Sequence, residues 1–202
     1  KSMYIFIAAT FALLINTPGR FVYGFTLILE LNFIFLIGTN SKFFVKKFEL
    51  EQLRTFITLL FIISFTILFK QIFIIFQPEL ILTLGINLFI IPISIFIFGF
   101  LFNDNEETLS DALKYNFTIS LRLSIYSLLF FLFRDIVGYG TFTFYGKNHQ
   151  IFEKVILSSD SLGFFSIFAS VPGALLLSGL ILFLFITINK KFSIIKNAGD
   201  EK

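Results

Sequence analysis

Long apolar runs, separated by short polar segments, make up most of the chain. A bilayer with a hydrocarbon core of about 30 Å requires about 20 apolar residues per helix. Six runs approach or exceed this length: Ser2–Asn16, Phe21–Ser41, Thr55–Phe69 with an extension to Phe76, Leu80–Phe102, Tyr115–Phe133 and Ser161–Asn189. The pattern therefore predicts an all-α polytopic membrane bundle of about six transmembrane helices, forming a single integral membrane domain over residues 1–202.

The first and last runs depart from the expected length. The first is short, ends at the turn signal Thr17-Pro18-Gly19 and lacks a small-residue cleavage site. We therefore expect it to be a membrane segment and not a cleavable signal peptide. The last run is uncharged, is too long for one straight span and is interrupted by Pro172-Gly173. It predicts a kink, a tilt or a short re-entrant start near Pro172.

Composition agrees with a membrane environment and excludes several kinds of chemistry. Hydrophobic residues make up 56% of the chain and charged residues 14%, against about 25% charged in a typical soluble domain. The absence of cysteine excludes disulfides, thiolate catalysis and cysteine-ligated metal clusters, and His149 alone cannot form a metal site. The net charge of +3 is too small to indicate nucleic-acid binding. Membrane lipid is the expected surrounding.

The distribution of positive charge predicts the orientation in the membrane. With six spans, ten Lys and Arg residues lie on the side of the two termini and five on the other side. The positive-inside rule then predicts cytoplasmic N- and C-termini, with a short cytoplasmic tail over residues 190–202. The largest piece on the opposite side, about Arg134–Asp160, is predicted to be an interfacial loop folded back on the bundle.

Two of the apolar runs are similar to each other. Phe21–Leu31 (FVYGFTLILEL) and Leu113–Leu123 (LKYNFTISLRL) are identical at five of eleven positions. They are the middle spans of two three-helix halves, residues 1–76 and 80–189. Because each half has an odd number of spans, the second copy is inverted in the membrane. The sequence therefore predicts two inverted three-helix repeats, a recurring plan of membrane transport proteins.

Glu30 and Arg122 occupy equivalent positions in this repeat and are the charged residues inside their spans. A charge at the centre of a membrane helix costs about 2.5–3.5 kcal/mol on insertion scales, so it usually faces protein or water and has a partner. We predict that the two lie in the bundle interior and pair near the membrane midplane. Such a pair either fixes helix packing or forms part of an ion or proton path; alternatively, both side chains reach towards the membrane surface.

Short motifs from Leu84 onwards resemble a known family. They are Leu84-Gly85-Ile86 followed by Gly99, Phe117-Thr118, Arg134-Asp135-Ile136-Val137-Gly138-Tyr139-Gly140-Thr141, and Pro172-Gly173-Ala174 followed by Gly179. They resemble helices four to six of the six-helix membrane subunits of the Rnf and Na⁺-translocating Nqr electron-transport complexes (Rnf A/E and Nqr D/E). The most specific match is to the family's Arg-Glu-Ile-Leu-Gly-x-Gly-Thr stretch. The resemblance is clearest from Arg54 to Ile188.

This resemblance implies an integral subunit of an ion-translocating complex in the bacterial cytoplasmic membrane. Its expected partners are a homologous or identical chain in the opposite orientation and other Rnf/Nqr-like subunits. The family holds a [2Fe–2S] cluster on cysteines, whose positions here fall near Thr10-Phe11 and at Ser94-Ile95. Because hydroxyl groups do not replace thiolate ligands, we expect no cofactor, no metal and no catalytic residue. The leading hypothesis is thus that the chain is a subunit, or a cluster-free paralogue of a subunit, of an Rnf/Nqr-type ion-translocating electron-transport complex.

Two further functional classes remain open. One is a small-solute or ion transporter on the same inverted-repeat scaffold, and the other is a non-catalytic membrane scaffold. Among the remaining polar groups, Arg134-Asp135 is interpreted as an interfacial salt bridge or as a contact to the glycine-containing loop that follows. The acidic residues Asp104, Glu106, Glu107 and Asp111 are interpreted as a solvated cytoplasmic loop or, alternatively, as a cation site, with Ser110-Asp111 as a helix cap.

Overall fold

The computed structural model describes residues 14–90, 92–93, 108–147, 149–158 and 163–200, and these residues are mostly helical. The α-helices are α1 (Phe21–Lys47), α2 (Arg54–Phe76), α3 (Pro78–Leu84), α4 (Leu109–Phe133) and α5 (Val171–Asp200). Short 3₁₀ helices span Glu51–Leu53 and Gly163–Ala169, and a π-helical turn, Arg134–Tyr139, prolongs α4. Two strands follow that turn, β1 (Thr141–Tyr145) and β2 (Ile151–Val155).

Three helices in the described ranges are long and apolar enough to cross a bilayer. They are α1, α2 and the continuous stretch Leu109–Tyr139. The apolar part of α5 that meets the same composition test, Val171–Leu184, is shorter. Large apolar side chains on α2 point outward, among them Phe56 and Ile75. Helix length and composition thus identify a membrane protein. The predicted first span, Ser2–Asn16, lies almost wholly outside the described residues.

The fourth predicted span, Leu80–Phe102, is not one continuous helix in its first part. Pro78 occupies the first turn of α3, where its missing N–H costs no hydrogen bond. The helix ends at Leu84 because Gly85 adopts a φ of 49°, a conformation that favours glycine. Residues 87–90 and 92–93 are helical again, and residues 94–102, including Gly99, lie outside the described ranges.

The last predicted span is divided near Pro172, as the sequence indicates. The 3₁₀ helix Gly163–Ala169 comes first, and α5 begins at Val171 after Ser170. The Ser170 Oγ accepts a hydrogen bond from the Gly173 N–H at 3.3 Å, which caps the first turn. Pro172 lies in that same first turn, where proline is well tolerated. The short start predicted near Pro172 is therefore a separate 3₁₀ helix.

The loop after α4 folds back on the bundle, as predicted, but contains a β-hairpin that the all-α prediction missed. Thr141 pairs with Val155 and Tyr145 with Ile151 in an antiparallel register. The alternation of threonine and aromatic residues in β1 suits a half-buried strand. Tyr145 Oη lies 2.8 Å from Thr26 Oγ1. The hairpin is thereby attached to the first turns of α1.

Polar side chains join α1 to α4 along an antiparallel interface. The Asn32 Nδ2 donates to Ser124 Oγ at 2.9 Å, and the Ser120 Oγ donates to Asn32 Oδ1 at 2.6 Å. Further along, the Asn116 Nδ2 donates to Thr39 Oγ1 at 2.7 Å. Interhelical hydrogen bonds of this kind stabilise the association of membrane helices, because in lipid the hydrophobic effect gives little driving force between them.

Replacing Asn32 by leucine is expected to weaken this interface. The change removes both interhelical hydrogen bonds of Asn32, each worth about 0.6–2 kcal/mol within a membrane. Unfolding of the purified protein in mixed micelles, followed by circular dichroism, measures the loss. Asn40→Leu is the control, because the Asn40 side chain is exposed and donates to its own helix at Leu36 O. Equal stability of the two variants would contradict the expectation.

Candidate functional site

Glu30 lies in the middle of α1 and is fully buried, with 0% of its surface exposed. Neither carboxylate oxygen accepts a hydrogen bond within the described part of the chain. A buried carboxylate normally has a partner, since an unpaired charge in an apolar medium is strongly destabilising. Glu30 is therefore in the bundle interior, as predicted, but the described residues do not give it the hydrogen bonds that a purely structural carboxylate makes.

Arg122 does not share this interior position, and this part of the prediction is wrong. Its side chain is exposed on α4, and no hydrogen bond joins it to Glu30. The reason is helical periodicity: the face of α4 that packs inward contains Ser120 and Ser124, and a residue two positions along points to the opposite side. Equivalent positions in a repeat need not face each other.

A cavity of about 220 Å³ lies beside Glu30, between α1 and α2. Its lining from α1 includes Phe33, and its lining from α2 includes Phe65, Phe69 and Phe73. The other lining residues are Ile34, Ile37, Leu68 and Ile72. Glu30 is therefore the one polar residue in the described lining of an otherwise apolar cavity.

Asp135 is the centre of a second buried polar cluster, at the opposite end of α1 from Lys47. It is 0% exposed. One oxygen, Oδ2, accepts from the Phe21 N–H at 3.0 Å and from the Thr143 N–H at 2.7 Å. The Thr143 hydroxyl donates to the same oxygen at 2.7 Å, and the Thr141 hydroxyl to Oδ1 at 2.8 Å. Asp135 thus joins the N-terminus of α1 to the β-hairpin.

Arg134 points away from Asp135 and holds a different set of backbone groups. It is 1% exposed. Its guanidinium donates to Thr17 O at 3.0 Å, to Phe168 O at 3.2 Å and to Ala169 O at 3.1 Å. The sequence allowed two interpretations of Arg134-Asp135, an interfacial salt bridge or a contact to the loop that follows. The loop contact is confirmed for Asp135, and the interpretation as a salt bridge between the two residues is wrong. The π-helical turn directs the two neighbours to opposite sides.

Two glycines of the motif stretches, Gly138 and Gly173, occupy positions with little room. A Cβ on Gly138 would lie 2.7 Å from Ala169 N, and one on Gly173 would overlap the Ile167 carbonyl. Gly140 adopts a φ of 71° at the end of the π-helical turn. These residues let the turn, the 3₁₀ helix and α5 approach one another. Their pattern is explained by packing in this chain.

The surface beside this cluster carries an ion pair. Arg20 donates to the Glu153 carboxylate of β2, and its guanidinium lies 5.4 Å from the centre of the Tyr139 ring. Partial burial acts to lower the pKa of Arg20, but the hydrogen bond and charge of Glu153 outweigh it, and the pKa is raised above its usual value. Arg20 therefore stays charged at physiological pH.

Within the described ranges, no three His, Cys, Asp or Glu side chains come together to form a metal site. The residues at which the family's cysteines would fall, near Thr10-Phe11 and at Ser94-Ile95, lie outside these ranges. The expected absence of a cofactor therefore stays a prediction from the sequence.

No family model, curated protein or solved structure matches this chain. The resemblance to the Rnf and Nqr subunits accordingly rests on the motif residues alone and stays a prediction. The geometry of the chain itself, above all the environment of Glu30, is the basis for a functional hypothesis.

Sequence reasoning missed the aromatic lining of the Glu30 cavity and the Asn32 contacts. The phenylalanines carry no signal in a chain with 33 of them. Asn32 could have been found, because the residue 92 positions later is Ser124, and these two polar residues are hydrogen-bonded to each other. Extending the repeat by one residue beyond Leu31 would have included this pair.

Proposed function

We propose that this protein moves a proton or another monovalent cation across the membrane and that Glu30 is the group that binds it. The observation that carries the proposal is a carboxylate that is fully buried in α1, accepts no hydrogen bond from the described residues and borders a cavity. Such a group requires a proton or a cation to neutralise it. Ionisable residues inside membrane helices commonly belong to ion pathways.

The contacts between α1 and α4 support an inverted-repeat scaffold for this function. The Phe131 ring packs against Gly24, where a Cβ would overlap it. Equivalent residues of the two proposed repeats differ by 92 in number, so the counterparts of Gly24 and Phe131 are Asn116 and Thr39. These two residues are also in contact, through a hydrogen bond. The same offset relates Asn32 to Ser124, so a pseudo-two-fold axis would pass between those two residues.

Glu30 is only two residues from that axis along α1. In inverted-repeat transporters, substrate and ion sites lie near the membrane midplane at the interface of the repeats. The two proposed repeats, residues 1–76 and 80–189, therefore give Glu30 the position that a transported cation requires.

This proposal covers two of the predicted functional classes. In an Rnf/Nqr-type complex, the cation path would work beside homologous or identical partners and other subunits. In a transporter, it would work alone. A scaffold has no use for an unpaired buried carboxylate, so the environment of Glu30 favours cation movement over a purely structural role. The predicted cytoplasmic termini and bacterial cytoplasmic membrane fit either class.

Replacing Glu30 by glutamine is expected to abolish cation movement while leaving the fold intact. Purified protein in lipid vesicles with an imposed membrane potential is assayed with separate dyes for protons and sodium. The wild type is expected to move at least one of these cations faster than empty vesicles, and Glu30→Gln to match the empty vesicles. Glutamine keeps the size of the side chain and removes the charge.

Glu79→Gln is the matched control, because Glu79 is an exposed glutamate in α3. It is expected to behave as the wild type. Wild-type vesicles that move neither cation, or a Glu30→Gln protein that moves it at the wild-type rate, would refute the proposal.

A further inference from the structure

We infer that the cavity beside Glu30 binds a small organic ammonium ion with an apolar body, which competes with the proton or cation for the carboxylate. The inference deepens the proposed function by naming a ligand class, and its role in transport rests on that function. Its basis is the combination of one unpaired carboxylate with an otherwise apolar lining.

The lining does not suit a divalent metal ion. Metal cations such as Ca²⁺ and Mg²⁺ require about six oxygen ligands or retained waters. Among the described residues of the lining, Glu30 alone carries a side-chain oxygen. An ammonium ion on an apolar body needs only one counter-charge, and the rest of its surface is better matched by hydrocarbon than by polar groups.

Aromatic rings form one wall of the cavity. The ring centres of Phe33 and Phe69 are 6.3 Å apart, and those of Phe69 and Phe73 are 4.4 Å apart, with the latter pair stacked. A cation within about 6 Å of an aromatic face is attracted by the negative charge of that face, and quaternary ammonium ligands are often bound in this way. The wall thus adds a second attraction to that of Glu30.

The size and opening of the cavity limit the ligand. A volume of about 220 Å³ is below the roughly 300–1,000 Å³ of sites for drug-sized molecules, so the ligand is small. Phe33 and Leu68, both in the lining, are 56% and 52% exposed on the outer surface of the helices. The cavity is therefore open to the surroundings of α1 and α2, from which an apolar cation can enter through the lipid.

Lys70, which lies in the second half of α2, does not occupy this cavity. Its side chain is not part of the lining, and its Nζ lies 5.6 Å from the centre of the Phe89 ring. Lys70 is therefore not the counter-charge of Glu30.

The test measures binding of benzyltrimethylammonium to the full chain in detergent micelles by titration calorimetry, with empty micelles subtracted. Neopentylbenzene, its neutral carbon analogue, serves as the matched ligand. The wild type is expected to bind the cation about ten-fold or more tightly than the neutral analogue, because only the cation neutralises Glu30. This comparison needs no variant and so cannot fail through misfolding.

Variants separate the two attractions. Glu30→Gln is expected to weaken binding of the cation about ten-fold or more. Phe69→Leu keeps an apolar wall and is expected to weaken it between about 2-fold and 30-fold through loss of the aromatic face. Glu79→Gln, at an exposed position of α3, is expected to leave binding unchanged.

The outcomes distinguish this inference from the proposed function. Absence of binding, equal binding of the two ligands, or binding unaffected by Glu30→Gln would overturn the inference, even if Glu30-dependent movement of protons or sodium were observed. Conversely, Glu30-dependent binding of the ammonium probe without any cation movement in vesicles would support the site and refute the transport function.

Discussion

Replacing Asp135 by alanine is expected to destabilise the protein by about 3 kcal/mol or more, because each buried donor left without an acceptor costs about 1–3 kcal/mol. The donors at stake are the backbone N–H groups of Phe21 and Thr143 and the hydroxyls of Thr141 and Thr143. The three bonds from Thr141 and Thr143 are buried, so these donors gain little water in return, whereas the Phe21 N–H is partly buried. Thermal unfolding in detergent and the yield of folded protein measure the loss.

Asp135→Asn is expected to give an intermediate loss, since the amide keeps one acceptor oxygen but turns an N–H₂ group towards donors. Glu153→Gln is the control. It also removes a carboxylate that pairs with another segment, but this pair with Arg20 is partly exposed, and exposed ion pairs are worth about 0–1 kcal/mol. If Asp135→Ala were no less stable than Glu153→Gln, Asp135 would not be what joins α1 to the hairpin.

Replacing Gly173 by alanine is expected to destabilise the junction between the 3₁₀ helix and α5 by about 1–3 kcal/mol, the usual cost of forcing a methyl group into a packed site. The new Cβ would overlap the Ile167 carbonyl oxygen, and the Phe168 backbone would be 2.8 Å away. Backbone atoms cannot rotate away as a flexible side chain does. The shift in unfolding temperature measures the effect.

Gly179→Ala is the matched control, made in the same helix. A Cβ on Gly179 would meet no atom within 4 Å. Since alanine favours a helix over glycine by about 0.8–1.0 kcal/mol, this variant is expected to be as stable as the wild type or slightly more stable. The two substitutions should therefore have opposite signs. A common sign would show that local helix propensity, and not the approach to Ile167, controls the site.

The membrane character of the chain and the position of several helices follow directly from the apolar runs. The predicted spans Phe21–Ser41, Thr55–Phe76 and Tyr115–Phe133 correspond to α1, α2 and α4. Their ends differ, because helices continue through polar residues at the membrane surface. Leu109 begins α4 after Thr108, whose hydroxyl oxygen accepts from the Asp111 N–H at 3.3 Å, so Thr108, and not Ser110, is the cap.

Short-range irregularities were harder to predict. The break at Gly85 and the hairpin after Gly140 occur inside or beside apolar sequence, where hydrophobicity alone does not distinguish a helix from a turn or strand. Both depend on glycines with positive φ, and a glycine in the sequence permits that conformation without requiring it.

The candidate site shows the same division. That Glu30 is an intramembrane acid was evident from its position in a long apolar run, because hydrophobic length fixes which residues lie within the bilayer. The sequence did not show that Arg122 fails to pair with Glu30, since pairing depends on the faces that α1 and α4 turn towards each other. Those faces carry Asn32 and Ser124, whereas Arg122 points outward.

The sequence by itself determined that this is an integral membrane protein with an acid inside the second apolar run, because the bilayer selects residues by hydrophobicity and length. Only the tertiary structure decided that Asp135 and Arg134 serve as separate buried anchors and that a hairpin covers the start of α1. It also decided that Glu30 borders an aromatic cavity and accepts no hydrogen bond from the part of the chain that is described. These features depend on contacts between residues distant in sequence, and periodicity within one helix carries no information about the face of another.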